Sequence, residues 1–159
     1  MIMLNWKKFL CATDFSDSAR RALEVTFQIA RVCRGTVIVQ HVVTPVPVPG
    51  PPVGPGGLVG SIRFDTVLYQ KELMKSARKR LEELIGELSG GDIETVIEVG
   101  IGSPAGEIVR LSEKKKIDLI VVGAHGHTGF RRWVSGSVAE KVVRTANCSV
   151  LTVPLPVKE

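Results

Sequence analysis

Apolar positions recur along the chain with two periods, one typical of buried strands and one typical of helices with a single apolar face. A short apolar stretch ends at residues 10–13. Small or apolar residues then recur every three or four positions from Ala19 until Gly35, which offers a left-handed helix stop. Residues 36–43 are β-branched and almost entirely apolar, as in a strand buried on both faces of a parallel sheet. The start of the chain therefore predicts a strand, a helix and a second strand.

The same alternation continues to the carboxyl end of the chain. In chain order, the remaining predictions are helix 65–88, strand 93–99, helix 105–115, strand 117–122, helix 137–146 and strand 149–153. Consecutive parallel strands need a right-handed crossover that is long enough to hold a helix. Strict alternation therefore predicts an α/β fold, a single open and doubly wound sheet of five parallel strands with helices on both faces.

One segment interrupts this alternation. Residues 45–60 contain six prolines and five glycines, so they hold few side chains that pack and many residues that break helices. We predict a flexible insertion there, with a role as a lid, a spacer or a ligand for a partner left open. The length of 159 residues is close to that of one domain, and we predict a single domain over residues 1–159.

The charge of the chain permits an anionic partner without identifying one. Lysine and arginine number 21 against 16 acidic residues, which gives a formal net charge of +5. The two basic runs, 78–80 and 114–116, lie on predicted helix faces or ends, where a solvated surface is the simpler explanation. We therefore expect no nucleic-acid partner.

Cysteine usage and hydropathy point to the cytoplasm. Cys11, Cys33 and Cys148 are odd in number and have no C-x-x-C spacing, which fits a reducing compartment and small core residues better than a disulfide framework. No apolar run approaches the roughly 20 residues of a membrane span, and residues 1–9 lack the apolar stretch of a signal peptide. We expect a cytoplasmic protein without a membrane partner.

The candidate chemistry is concentrated in the loop after the fourth predicted strand. Residues 123–137 contain four glycines, two histidines and two arginines. Glycines let consecutive backbone amides form an anion-binding nest, and Gly136 and Ser137 open a helix whose unpaired N–H groups favour the same anion. The loop therefore predicts a phosphate site, although Ser137 as a simple helix cap and the glycines as a long turn are the structural alternative. Arg131, Arg132 and Lys141 are further candidates for neutralising phosphate.

The spacing Gly123-x2-Gly126-x9-Gly136-Ser137 resembles the ATP-binding signature of the universal stress protein family. Further similarity lies at residues 12–16, 40–42 and 150–153, so the resemblance covers most of the chain. The resemblance implies a strand order of 3-2-1-4-5, ATP as the ligand with Mg²⁺ bound to it, and a homodimer that forms through the final strand.

The resemblance also implies the residues of the site. In the ATP-binding branch of the family, the residues that match Asp14 and Val42 contact the base end of the nucleotide. The residues that hold ribose and phosphates match Gly123, Gly126, Gly136, Ser137 and Val138. Asp14 has an alternative role as a cap for the first helix.

Two other kinds of site are weakly indicated by short motifs. Gly100-x-Gly102-x3-Gly106 imitates a dinucleotide fingerprint, but its spacing is off by one residue, and we reject it. His125 and His127 could bind a metal, but no third ligand has a clear sequence relation to them, so we predict no metal site in the protein itself.

Three functions remain open at this point. The chain has neither a Walker lysine motif nor a G-x-S-x-G nucleophile motif, so efficient catalysis is not indicated. The leading hypothesis is an ATP-binding regulatory or stress-response module. The alternatives are a slow ATPase or phosphotransfer enzyme that uses the same pocket, and a scaffold dimer that binds no nucleotide.

Overall fold

A computed structural model of the chain describes residues 5–45, 66–124 and 137–155. These residues form five strands that alternate with four helices. The strands are β1 (Lys8–Ala12), β2 (Thr36–Val43), β3 (Thr95–Ile101), β4 (Leu119–Gly123) and β5 (Ser149–Val153), and the helices are α1 (Asp17–Cys33), α2 (Thr66–Leu88), α3 (Pro104–Lys115) and α4 (Ser137–Thr145). The strands form one parallel sheet in the order β3-β2-β1-β4-β5, which confirms the predicted fold class and strand order.

Side chains that alternate along the central strands build a core on each face of the sheet. On one face, Phe9 and Cys11 of β1 pack with Phe27 of α1 and Leu81 of α2. On the other face, the next residues in the alternation pack against the remaining two helices, and this second core includes Leu10, Ile38, Ile108, Ile120 and Val142. The sheet is therefore covered on both faces because its strands are apolar at successive positions.

The end of α1 differs from its prediction. The left-handed residue is Arg34, with φ of 51°, and its N–H donates to the carbonyl oxygens of Ala30 and Arg31. Gly35 is needed for space instead, because a Cβ there would lie 2.5 Å from Cε2 of Phe9 and 2.7 Å from the carbonyl oxygen of Lys7. The prediction of Gly35 as the left-handed stop is therefore wrong.

The prediction that the cysteines are core residues is confirmed for one of the three, and the prediction of a flexible insertion is not tested. Cys11 is buried, and burial raises the pKa of its thiol to about 12, whereas Cys33 and Cys148 are only partly buried. The predicted insertion lies outside the described residues from residue 46 onward, so its flexibility stays a prediction. Within the described residues, no helix combines the length and the apolar character that crossing a membrane requires.

Candidate functional site

The strand order reverses between β1 and β4, and three of the predicted site residues lie at this point. Ala12 of β1 pairs with Gln40 of β2 on one side and with Val122 of β4 on the other. Asp14 and Val42 each lie two residues beyond that row, and Gly123 follows Val122 directly. The carboxyl ends of three neighbouring strands therefore bring Asp14, Val42 and Gly123 to one edge of the sheet, here called the carboxyl edge, where open parallel sheets bind ligands.

The turn between β1 and α1 is held by its own short side chains. The hydroxyl oxygen of Thr13 accepts a hydrogen bond from the N–H of Phe15 at 3.0 Å, and Oδ1 of Asp14 accepts one from the N–H of Ser16 at 3.0 Å. Oγ of Ser16 accepts from the N–H of Ala19 at 3.2 Å and caps α1. The alternative of Asp14 as the helix cap is therefore wrong, and its exposed carboxylate orders the turn before the helix.

Phe15 occupies a conformation that bulky residues seldom adopt. Its φ is 64°, in the left-handed region, which costs an L-residue roughly 1–2 kcal/mol. Its ring packs against His41 of β2 with centroids 4.7 Å apart, and the guanidinium of Arg80 on α2 lies 3.9 Å above it. Nδ1 of His41 lies 2.8 Å from the carbonyl oxygen of Thr13 and donates to it. Contacts from β2 and α2 thus hold the backbone on both sides of Asp14.

Gly123 has a packing reason for being glycine. A Cβ at this position would lie 2.8 Å from the carbonyl carbon of Ser18 and 3.0 Å from the nitrogen of Ala19, so the first turn of α1 rests directly on the end of β4. Ser18 is itself buried. Gly123 therefore brings α1 close to the strand, which is a role that the resemblance to a binding signature does not state.

The remaining predicted residues belong to the region around the start of α4. Ser137 is the first residue of α4, with its side chain outside the described part of the chain, and Val138 is exposed. Because helices in this sheet run opposite to the strands, the amino end of α4 opens toward the carboxyl edge, with the positive end of its dipole there. Gly126 and Gly136 lie outside the described residues, as do His125, His127, Arg131 and Arg132.

Two residues near this edge were missed by the sequence analysis. Arg80 comes from the exposed face of a helix, and nothing in its local pattern indicates a contact with the loop after β1. Gln40 is 2% exposed in the middle of an apolar strand, and Nε2 of its amide donates to the backbone carbonyl oxygen of Glu107 at 3.4 Å. A signal for Gln40 lies in the sequence, since Gln40 and His41 are the two polar residues that interrupt the apolar run of β2.

The rejected dinucleotide motif has a structural explanation. Gly100 and Gly102 leave room for the side chain of Glu107, because a Cβ at either position would lie 3.3–3.4 Å from its atoms. Hydrogen bonds from Arg110 lower the pKa of Glu107 and keep it ionised. These glycines therefore serve the packing of α3 on β3.

A shallow cleft of about 260 Å³ lies between α1 and α2, on the face of the sheet that these two helices cover. Its lining is mixed in charge, and Arg20 and Glu87 pair across it at 2.9 Å. Phe15 and Arg80 also line this cleft, but none of the predicted site residues does. Within residues 5–45, 66–124 and 137–155, no group of three or more His, Cys, Asp or Glu side chains is placed to hold a metal ion.

Comparison with known proteins agrees with this architecture. The family model described as "Universal stress protein family" matches residues 5–154. Universal stress protein MJ0531 of Methanocaldococcus jannaschii is 37% identical over 155 residues, which cover 97% of this chain and 85% of the relative. The solved structure of protein MJ0577 from the same organism has a TM-score of 0.79 at 26% identity and covers 98% of this chain and 100% of its own.

A third similarity is to a solved structure with a bound nucleotide. The universal stress protein of Archaeoglobus fulgidus in complex with dAMP shares the fold, with a TM-score of 0.55 at 22% identity, and covers 94% of this chain and 99% of its own. The family model and the sequence relatives both extend over nearly the whole chain. Together with the sheet order and the residues at its carboxyl edge, they show that this chain belongs to the universal stress protein family.

Proposed function

We propose that this protein binds ATP at the carboxyl edge of β2, β1 and β4, and that nucleotide occupancy regulates its interactions in a stress response in the cytoplasm. The observation that carries this proposal is the placement of Asp14, Val42 and Gly123 at the ends of three neighbouring strands, where the strand order reverses. The amino end of α4 opens toward the same edge, and because the first N–H groups of a helix have no partner within the helix, they can bind an anion there.

The chemistry of this edge suits the two ends of a nucleotide. Val42 offers an apolar surface and Asp14 a carboxylate that can accept hydrogen bonds, which suits the base end of the ligand. Ser137 and Val138 begin the helix whose N–H groups would face phosphates, and Mg²⁺ would enter with the triphosphate and neutralise part of its charge. The dAMP complex of the Archaeoglobus fulgidus protein supports an adenine nucleotide as the ligand class.

Titration calorimetry of nucleotide-stripped protein with Mg-ATP tests the proposal. We expect micromolar binding by the wild type and its loss in a Gly136→Val, Ser137→Ala double variant, because a side chain would fill the space for a phosphate and a donor would be removed. The control is Gly86→Ala, which changes a glycine with nothing within 4 Å of its added Cβ. A folded wild type that does not bind ATP would contradict the proposal and leave the scaffold alternative.

Hydrolysis is tested on the same samples. Phosphate release from Mg-ATP that is lost in the double variant would identify the slow ATPase alternative, since both functions use the same pocket. We expect turnover that is slow or undetectable, because no efficient catalytic apparatus is indicated by the sequence. Fast turnover would contradict the regulatory proposal.

We also propose that two copies of the chain pair through β5. This strand is the last in the sheet order and pairs only with β4, and no other described residue pairs with its outer edge. A charge introduced by Leu151→Asp should yield monomers in sedimentation. Because Leu151 also packs against the core, a second variant, Thr152→Lys, places the charge on an exposed side chain of the same strand. Dimers that persist in both folded variants would contradict this interface.

A further inference from the structure

One side chain of β2 contacts the chain on both sides of Asp14. Nδ1 of His41 donates to the carbonyl oxygen of Thr13 at 2.8 Å, and the ring of His41 packs against that of Phe15 with centroids 4.7 Å apart. Thr13 directly precedes Asp14 in the chain, and Phe15 directly follows it. His41 therefore holds the backbone at both neighbours of a residue that we propose for the base end of the ligand.

The same side chain joins Asp14 to the strand that carries Val42. Val42 follows His41 directly and pairs in register with Gly100 of β3, so the sheet determines its position. Asp14 lies two residues beyond Ala12, the last residue of β1, so its position depends on contacts outside the strand pairing. The hydrogen bond from Nδ1 is such a contact, and it links the turn that contains Asp14 to the end of β2.

The turn needs contacts from other elements because Phe15 is strained. Its φ of 64° is costly for a bulky L-residue, which keeps such a conformation only where the surrounding structure holds it. The N–H groups of Phe15 and Ser16 donate to side chains of the turn itself, so these hydrogen bonds do not tie the turn to another element. The contacts of His41 and Arg80 with the ring do so. Without them, a return of Phe15 to negative φ would move Asp14 with the backbone.

We infer that His41 is a positioning residue of the nucleotide site, whose hydrogen bond to Thr13 and contact with Phe15 hold Asp14 in place relative to Val42 before the nucleotide binds. This inference rests on the proposed function. His41 acts through Asp14 and does not itself have to contact the ligand. Only molecules with the turn in place bind at full strength, so a variant that leaves about one molecule in five to ten in this state loses the same factor in apparent affinity.

Two substitutions of His41 separate its hydrogen bond from its ring. His41→Phe keeps a ring beside Phe15 and removes the donor, whereas His41→Asn removes the ring and keeps an N–H donor as many bonds from the backbone as Nδ1. In titration calorimetry with Mg-ATP, we expect His41→Phe to lose about five- to tenfold in affinity and His41→Asn to stay within about threefold of the wild type. Wild-type affinity in a folded His41→Phe variant, or an equal loss in both variants, would overturn the inference.

The matched control for these variants is Asp118→Ala. It also removes a side-chain hydrogen bond to the backbone at one end of β1, because Oδ2 of Asp118 accepts from the N–H groups of Lys7 and Lys8. This substitution should lower stability at the start of the strands and keep the affinity of the wild type. A loss of affinity as large as that in His41→Phe would show that lower stability alone weakens binding, and it would overturn the inference.

Arg80 tests the same turn from an exposed side chain. Arg80→Ala removes the guanidinium that lies 3.9 Å from the ring centroid of Phe15, and Arg78→Ala removes the same charge from an exposed position on the same helix. We expect a loss of about two- to threefold in affinity for Mg-ATP in Arg80→Ala only. An equal loss in both variants would assign the effect to net charge and overturn the role of the turn.

Hydrogen exchange, measured by NMR on nucleotide-free protein, tests the positioning without a ligand. We expect the N–H groups of Phe15 and Ser16, which both donate within the turn, to exchange at least about fivefold faster in His41→Phe than in the wild type. Unchanged exchange of both groups would overturn the inference even where ATP binding is confirmed. A folded wild type that does not bind Mg-ATP, with faster exchange in His41→Phe, would overturn the proposed function and leave His41 with a structural role only.

Discussion

The two edges of the sheet differ in the backbone strain and the unpaired polar atoms that they contain. At the amino edge, where the strands begin, Oδ2 of Asp118 accepts hydrogen bonds from the N–H groups of both Lys7 and Lys8, at 2.8 and 2.9 Å. Nearby, the guanidinium of Arg31 makes a two-pronged contact with the carboxylate of Asp92, at 2.8 and 3.0 Å. Here polar groups that would otherwise be left without partners are paired within the chain.

The carboxyl edge contains two local features that lower the stability of the fold. Phe15 has a φ of 64°, and the buried Oε1 of Gln40 has no donor among the described residues. Costs of this kind persist where the surrounding structure holds them, and they concentrate at functional sites. Arg34 and Lys116 at the amino edge also have positive φ, but both end helices, so the bulky Phe15 and the unpaired oxygen are what distinguish the carboxyl edge. This difference accords with the ligand site that we propose for the carboxyl edge. Variants at the two edges should therefore separate stability from binding.

The largest effect is expected from Gly35→Ala at the amino edge. The new Cβ would lie 2.5 Å from a ring atom of Phe9, which is fully buried, and 2.7 Å from a backbone oxygen, so strand or helix must move. We expect a loss of about 3 kcal/mol in the free energy of unfolding, measured in urea. Gly86→Ala is the matched control and should gain about 0.5–1 kcal/mol, because Gly86 is exposed in α2 with open space around it. A Gly35→Ala variant as stable as the wild type would show that this close approach is absent.

The same glycine shows what local pattern could and could not predict. The position and length of α1 follow from apolar spacing, and β2 and β5 were predicted with the bounds that the structure gives. The role of Gly35 depends on the start of β1, which lies more than twenty residues earlier in the chain. The close approach of Gly35 to β1 arises only in the packed sheet, so the residues next to Gly35 do not indicate it. The local pattern indicates a left-handed helix stop at Gly35, and in the structure Arg34 has that conformation instead.

The next effect is expected from Asp118→Ala. The substitution removes the acceptor shared by two backbone N–H groups at the start of β1, and we expect a loss of about 1–2 kcal/mol in the free energy of unfolding. Asp118→Asn keeps one acceptor oxygen and should lose less. Affinity for Mg-ATP should remain unchanged in both variants because the substitution lies at the opposite edge from the proposed site. A large fall in affinity with stability preserved would remove the distinction between the two edges.

A smaller effect tests the backbone cost at the carboxyl edge. Phe15→Ala and Phe15→Gly both remove the ring that contacts His41 and Arg80, but only glycine adopts a φ of 64° without steric cost. Phe15→Gly should therefore be the more stable of the two by about 1 kcal/mol, measured as the difference in urea unfolding. If Phe15→Ala is at least as stable as Phe15→Gly, the turn before α1 does not hold the strain that we assign to it.

From the sequence, the candidate site could be predicted only to the extent that the ends of the strands could be predicted. The placement of Asp14, Val42 and Gly123 at one edge follows from alternation and the implied strand order, and their roles toward a nucleotide remain proposals. The contact of Arg80 with Phe15 could not be predicted, because it joins a helix and a loop that are distant in sequence. Gln40 was visible as a polar interruption, but only burial and its hydrogen bonds show that one of its atoms is unpaired.

The smallest effect is a dependence on pH at the amino edge. Hydrogen bonds from Arg31 lower the pKa of Asp92 below its ordinary value of 3.8. The folded state therefore binds this proton less readily than the unfolded state, so the stabilisation is present above pH 3.8 and is lost as the pH falls through the lower folded value. In urea unfolding between pH 2 and 6, Asp92→Asn should be less stable than the wild type at the upper end and should approach it at the lower end. Because both groups are exposed, the difference should be small and should shrink further in high salt. A difference that stays constant with pH would mean that the pair is held by packing rather than by charge.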